Sequence, residues 1–245
     1  MKCFLLADNR AELLATLEPI LKHWGYRVLA ATNARQVNDF LRQSYPCLLI
    51  IGADILGSPQ LNPPPEMIAE LKSGNLPLLA LEQEGATEPA FTSLETLSVP
   101  LDILSLFAFI QHYVEKHPRQ NLRLRVRIPG MYKTGENDYI LADVYSLSIR
   151  GLFFKAAAKL EKGDTLSVVF PLLGHCKELE VRATVLYTVQ PGNRNNYLQG
   201  FGVVFDSLSD AEKANLKTFI EERFLNEVST CQAGVGDFCA RQLKR

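Results

Sequence analysis

Near residue 115 the hydrophobic pattern of this chain changes its period. Up to Val114, short apolar runs alternate with stretches in which apolar residues recur every three or four positions. That is the pattern of strands buried on both faces with amphipathic helices between them. From Leu124 the residues alternate one by one, with Leu124, Val126 and Ile128 on one side and Arg123, Arg125 and Arg127 on the other. That is a strand with one wet, basic face. Two periods imply two cores, and 245 residues suffice for two domains of ordinary size. The expected divisions are residues 1–115, residues 116–226 and a tail at 227–245.

In the first half, Lys2 to Ala7 reads as a buried strand. Asn9 and Glu12 have capping-box spacing and open a helix whose apolar face is Leu13, Leu17, Ile20, Leu21 and Trp24, ended by Gly25. Strands at Arg27–Ala31 and Cys47–Ile51 flank a helix at Ala34–Arg42. A loop with Pro63, Pro64 and Pro65 leads to a short helix at Met67–Lys72 and strands at Pro77–Leu81 and Leu94–Val99. An apolar helix at Leu101–Val114 closes the unit. Such alternation implies an α/β fold, a doubly wound parallel sheet with helices on both faces.

In this order of elements, residues 1–115 resemble a response-regulator receiver domain, a flavodoxin-like fold. The resemblance implies an acidic pair after the first strand to hold magnesium and a phosphoacceptor aspartate ending the third. It also implies a hydroxyl residue after the fourth strand and a lysine before a proline after the fifth. Here those positions hold Asp8 with Asn9, then Gly52, Glu82, and Val99 before Pro100. Glycine cannot form an acyl phosphate, and valine cannot pair with a phosphoryl oxygen. Asp54 would serve only in a shifted alignment. The half therefore reads as a receiver-like pseudo-domain kept for protein contacts, with Asp8 a loop residue at the helix start rather than a metal ligand.

Charge separates the halves further. Residues 1–115 hold seven Lys and Arg against thirteen Asp and Glu, a net of −6, whereas the rest of the chain nets +5. No Lys or Arg occurs between Lys72 and Lys116. Then Lys116, Arg119, Arg123, Arg125 and Arg127 follow with no acidic residue up to Pro129. Either the domains simply differ in composition, or the second meets an anion or the first half itself. The apolar start, Met1 to Ala7, is too short for a signal peptide or a membrane span. Cys3, Cys47, Cys176, Cys231 and Cys239 are scattered and odd in number, so neither a disulfide framework nor a zinc site is expected, and a cytoplasmic home is. His23, His112, His117 and His175 stand far apart and outside any nucleophile or metal motif. His175 beside Cys176 reads as a turn pair, and no enzyme site is expected.

Beyond the alternating strand, further strands are expected at Tyr139–Tyr145, Leu152–Lys155, Thr165–Phe170, Leu179–Thr188 and Gly202–Phe205. Turns such as Lys162-Gly163-Asp164 and Pro191-Gly192 separate them. Six short strands without intervening helices suggest a small antiparallel β-barrel. Ser209 and Glu212 form a capping box for a last helix whose apolar stripe is Leu216, Phe219, Ile220 and Phe224.

Over about residues 116–226 the chain resembles a PilZ domain. The family's RxxxR motif appears as Arg119-Gln120-Asn121-Leu122-Arg123, and its D/N-x-S-x-x-G motif as Ser146-Leu147-Ser148-Ile149-Arg150-Gly151. The closing strand Gly200-Phe201-Gly202-Val203-Val204-Phe205 is also typical. The resemblance implies a cyclic di-GMP receptor with no other cofactor, its site residues being Arg119, Arg123, Ser146, Ser148, Arg150 and Gly151. The chemistry fits, because a guanidinium can pair with guanine O6 and N7, pair with phosphate, or stack on a base. Ser146, Ser148 and Arg150 alternate and would line one face of the barrel wall. Gly151 would allow a tight turn or a close nucleotide. Ser146 stands where the family has Asp or Asn, and serine has a shorter reach. Without the ligand, the same chain would be an interaction adaptor built on a PilZ-like barrel. A nucleic-acid partner is not expected, since the basic run lacks interleaved aromatics. A protein partner, unidentified, would meet the receiver-like domain, a homodimer stays open, and the tail could extend the last helix, mediate self-association or be disordered.

Overall fold

A computed structural model describes residues 1–83, 95–172 and 177–242, with side chains described except at 83, 177 and 231–242. The chain divides into two compact units, Met1–Arg119 with Glu227–Arg245, and Gln120–Asn226. His175, Cys176 and Leu94 lie outside the described residues, as do the side chains of Cys231 and Cys239.

In the first unit, strands β1 (Cys3–Ala7), β2 (Arg27–Ala31), β3 (Leu48–Gly52), β4 (Leu78–Gln83) and β5 (Glu95–Val99) form one parallel sheet in the order β2-β1-β3-β4-β5. This is the receiver-like, flavodoxin-like order, whose switch point lies between β1 and β3. Helices α1 (Ala11–His23), α2 (Ala34–Gln43), α3 (Ala53–Leu56), α4 (Pro65–Ser73) and α5 (Ile103–Val114) connect the strands. Alternate residues of β1 and β3 feed two cores. Phe4, Leu6, Leu48 and Ile50 pack with Leu17, Leu21, Leu106 and Ile110, while Leu5, Ala7, Leu49 and Ile51 pack with Val37, Leu41 and Met67. Burial on both faces is why these strands read as unbroken apolar runs.

Two local expectations fail. The four-residue α3 follows β3 directly, where a loop was expected. The capping box of Asn9 and Glu12 does not form, for α1 begins after Arg10 without a side-chain cap. Asn9 Nδ2 instead donates to Asp54 Oδ2 at 2.9 Å, and the Arg10 backbone N–H donates to Asp8 Oδ1 at 2.8 Å. The aspartate thus closes the turn into the helix.

Asp8 is more than a loop residue. It is 1% exposed, at the carboxyl ends of β1 and β3. Arg10 Nε donates to its Oδ1 and Arg10 Nη2 to its Oδ2, both at 2.8 Å. A buried carboxylate is tolerable when a bidentate partner satisfies it. Gly52 makes room for this arrangement, since a Cβ there would lie 2.3 Å from Asp8 Oδ2. At the other end of the sheet, Glu115 accepts from Lys2 Nζ and from the Tyr26 hydroxyl, each at 2.8 Å. The Lys2 hydrogen bond is the main reason the Glu115 carboxyl is held below its ordinary 4.5. Burial, then the bond to Glu115, pushes the Tyr26 hydroxyl up.

The second unit is a closed antiparallel barrel of β6 (Leu124–Thr134), β7 (Ile140–Ser148), β8 (Gly151–Lys155), β9 (Thr165–Leu172), β10 (Lys177–Val189) and β11 (Gly200–Phe205), in the order β10-β11-β8-β7-β6-β9. Its interior holds Tyr132, Phe154 and Phe201, with ring centroids 5.0–5.7 Å apart. Helix α6 (Asp210–Gln242) starts at the expected capping box, Ser209 N donating to Glu212 Oε2 at 2.7 Å and Glu212 N to Ser209 Oγ at 3.3 Å. Its stripe of Leu216, Phe219, Ile220 and Phe224 is buried, and its backbone stays helical through most of the expected tail.

Two outcomes are expected. Gly52→Ala should cost about 1–3 kcal/mol in urea unfolding, because the new methyl must displace the Asp8 carboxylate from Arg10. A carboxyl held low in the folded state contributes stability that is present above its unfolded pKa and lost as pH falls through the folded one. Glu115→Gln should therefore lower Tm at neutral pH and reduce the fall in Tm on acidifying below 4.5.

Candidate functional site

The outer face of β6 carries the basic run. Leu124, Val126 and Ile128 are buried and Arg123, Arg125 and Arg127 are exposed, as the alternation predicts. Among the described residues, the guanidinium groups of Arg119, Arg123, Arg125 and Arg127 have no hydrogen-bond or ion-pair partner. Arg119 is anchored through its backbone, its N–H donating to Gln111 Oε1 at 2.8 Å. The division between the two units falls directly after Arg119, so the RxxxR motif straddles it.

The second motif forms the hairpin between β7 and β8. Strand β7 ends at Ser148, Ile149 and Arg150 make the turn, and β8 begins at Gly151. Ser148 is 6% exposed, and its hydroxyl donates to the Gly151 carbonyl at 3.0 Å. Arg150 is exposed in the turn, so the expected alternation of Ser146, Ser148 and Arg150 along one face stops at Ser148. The physical reason is that the strand ends two residues before Arg150. Arg150 Nη1 donates to Gln120 Oε1 at 3.2 Å, tying the turn to the segment that carries the first motif. With Ile149, Phe205, Asp206, Ser207, Leu208 and Lys213 it also lines a cavity of about 450 Å³. Gly151 serves the barrel itself, because a Cβ there would lie 2.0 Å from the Val203 carbonyl oxygen of β11.

Strand register shows what stands beside Ser146. Ser146 pairs with Arg125 on β6 and Phe153 on β8, Phe153 pairs with Gly202 on β11, and Gly202 pairs with Tyr187 on β10. The adjacent row, Leu124, Leu147, Leu152, Val203 and Val185, is buried throughout and faces the interior. The row through Ser146 therefore faces outward. Register slips interrupt three of its ladders, between Arg125 and Ile128, between Val144 and Ser146, and between Val185 and Tyr187. Such bulges re-aim side chains. Tyr145 meets Phe153 edge-on at 6.3 Å, and Phe153 lies nearly parallel to Tyr187 at 6.2 Å. Arg125, Phe153, Gly202 and Tyr187 thus join the candidate site. Motif spacing did not find them, and only the pairing of strands distant in sequence brings them together.

In the first unit, the positions a phosphotransfer site would use hold other chemistry. Gly52 has no acceptor group, Asp8 is occupied by Arg10, and Asp54 accepts from Asn9. Glu82 lies on β4, and Val99 ends β5. Among the described residues, no group of three or more His, Cys, Asp and Glu is placed to hold a metal ion.

No curated protein matches the chain. Among solved structures, it is similar to the Bacillus subtilis inhibitor of motility MotI/DgrA at 17% identity and a TM-score of 0.39, over 44% of this chain and 51% of that one. It is similar to Escherichia coli YcgR, solved in complex with c-di-GMP, at 17% identity and a TM-score of 0.38, over 48% of this chain and 50% of that one. The signal receiver domain of an HD domain-containing protein from Pseudomonas fluorescens Pf-5 aligns at 19% identity and a TM-score of 0.39, over 46% of this chain and 94% of that one. The chain thus spans about half the length of MotI/DgrA and of YcgR. The family model for the PilZ domain matches residues 116–222, the stretch that holds both motifs and the closed six-stranded barrel. Residues 116–222 are thus similar to a PilZ domain.

Proposed function

We propose that this protein is a non-enzymatic, cytoplasmic effector that binds cyclic di-GMP on the outer wall of its barrel and responds by reorienting its receiver-like domain. The observation that carries this reading is that, among the described residues, the guanidinium groups of Arg119, Arg123, Arg125 and Arg127 have no partner, and that Arg125 pairs across the strands with Ser146 on an outward row. Unpaired arginines close together in sequence suit a ligand with two phosphates and two guanines, because each can take a phosphate or a guanine edge in two parallel hydrogen bonds. Arg119 and Arg123 would grip the ligand. Ser146 would meet it on the wall, and Arg150 would meet it from the turn. Ser148 and Gly151 would shape that turn, the one through its hydroxyl and the other through its lack of a side chain. Among the described residues, no helix is long and apolar enough to cross a membrane.

The mechanism follows from the position of the first motif. Arg119 belongs to one unit and Arg123 to the other. A ligand held by both restricts the orientations open to the two units and shifts their population, exposing or hiding a surface for a protein partner. A second reading, an adaptor that has lost the nucleotide, is favoured by two features. Ser146 replaces the longer acceptor of the family motif, and the Ser148 hydroxyl is engaged by the turn.

Titration calorimetry with cyclic di-GMP separates the two readings. Binding by the native protein supports the effector, and silence at high ligand concentration supports the adaptor. Arg123→Ala should lose roughly 2–5 kcal/mol, enough to abolish detectable micromolar binding. Small-angle scattering should change on saturation with the nucleotide, and superimposable profiles would end the reorientation mechanism.

A further inference from the structure

The motif serine stands near one end of an outward row that continues across three more strands. At its far end, Tyr187 is 39% exposed, an unusual place for a ring on a barrel whose other aromatic residues are mostly buried. The register slip at Leu186 sets Leu186 and Tyr187 both outside, Leu186 at 45% exposure. The phenol end of Tyr187 then reaches over β11, where a Cβ at Gly202 would come 2.5 Å from two of its ring carbons. The lack of a side chain at Gly202 makes the seat for this ring. Phe153 supports it from the side, 6.2 Å away and inclined by 24°, and is itself braced by the edge of Tyr145. Phe153, itself buried at 6% exposure, pairs directly with Ser146, so the aromatic row that carries Tyr187 begins one strand from the motif serine, about 5 Å away.

A partly exposed aromatic ring held over a sheet can serve as a stacking platform, since every nucleobase presents a π-face. We infer that Tyr187, seated on Gly202 and Phe153, stacks one purine of the cyclic dinucleotide while the arginine end of the site holds the phosphates. This rests on the cyclic di-GMP reading above and adds to it a residue that neither motif contains. Stacking selects for a planar base without reading its edge, so it supplies affinity at the end of the row farthest from the arginines.

The test is calorimetric titration of the full-length protein with cyclic di-GMP, comparing native, Tyr187→Leu and Tyr187→Trp forms. Tyr187→Leu keeps an apolar cover over Phe153 but removes the π-face, and its affinity should fall about 5- to 100-fold. Tyr187→Trp should bind at least as tightly as the native protein, and its added indole emission should be quenched by the nucleotide. The native protein, whose only tryptophan is Trp24 in the first unit, gives the background. Unchanged affinity in Tyr187→Leu overturns the inference while native binding and its loss in Arg123→Ala leave the ligand assignment standing. No binding by the native protein overturns both. If Tyr187→Leu melts early, the indole decides, because unquenched emission from Tyr187→Trp at native affinity also overturns the inference.

Discussion

Strands β8 and β11 run so close together that two positions along them leave no room for a side chain. A Cβ at Gly151 would lie 2.0 Å from Val203 O, and one at Gly200 would lie 2.0 Å from Phe154 O. A six-stranded barrel must bend its strands sharply, and glycines and bulges are the devices that permit it. The interior then fills with Tyr132, Phe154 and Phe201, while the outside is left bare over β11. The bare strip gives Tyr187 its seat. Barrel closure and the shape of the candidate site are one steric fact.

The two units treat charge in opposite ways. Asp8 is buried and fully matched by Arg10, two residues away in sequence. At β6 and the residue before it, by contrast, Arg123, Arg125 and Arg127 are all exposed and, among the described residues, have no acidic partners. Side chains two residues apart on a strand start about 7 Å from one another, inside the Debye length at physiological salt, so these charges repel. A dianion held there would relieve that repulsion as well as form its own hydrogen bonds. The acidic first unit and basic second unit seen in the sequence are the coarse image of this difference.

Much of the architecture was readable because burial on both faces and burial on one face leave different periods. The sheet strands of the first unit, the six barrel strands and the capped start of α6 all carry such signals. The losses have particular causes. Asn9 and Glu12 have capping spacing, but Asn9 spends its amide on Asp54, a residue brought near only by the fold. Arg10 was passed over because nothing in a linear reading tells which nearby charge a buried Asp8 will take. Strict alternation also puts Tyr145 and Ser146 on opposite faces, as it does Leu186 and Tyr187. The slips at those points undo that rule, which is why the aromatic half of the row was invisible.

Those slips carry a consequence for how such a surface changes over evolutionary time. Each is a one-residue surplus in one strand relative to its neighbour, so removing Tyr145 or Leu186 would rotate everything beyond it by half a pleat. Ser146 or Tyr187 would then point into the packed interior, and buried leucines and valines would point into water. Exchange of one side chain for another leaves this geometry alone. Descendants of this barrel are free to retune what the wall recognises by substitution, but are held to a fixed residue count through β7 and β10.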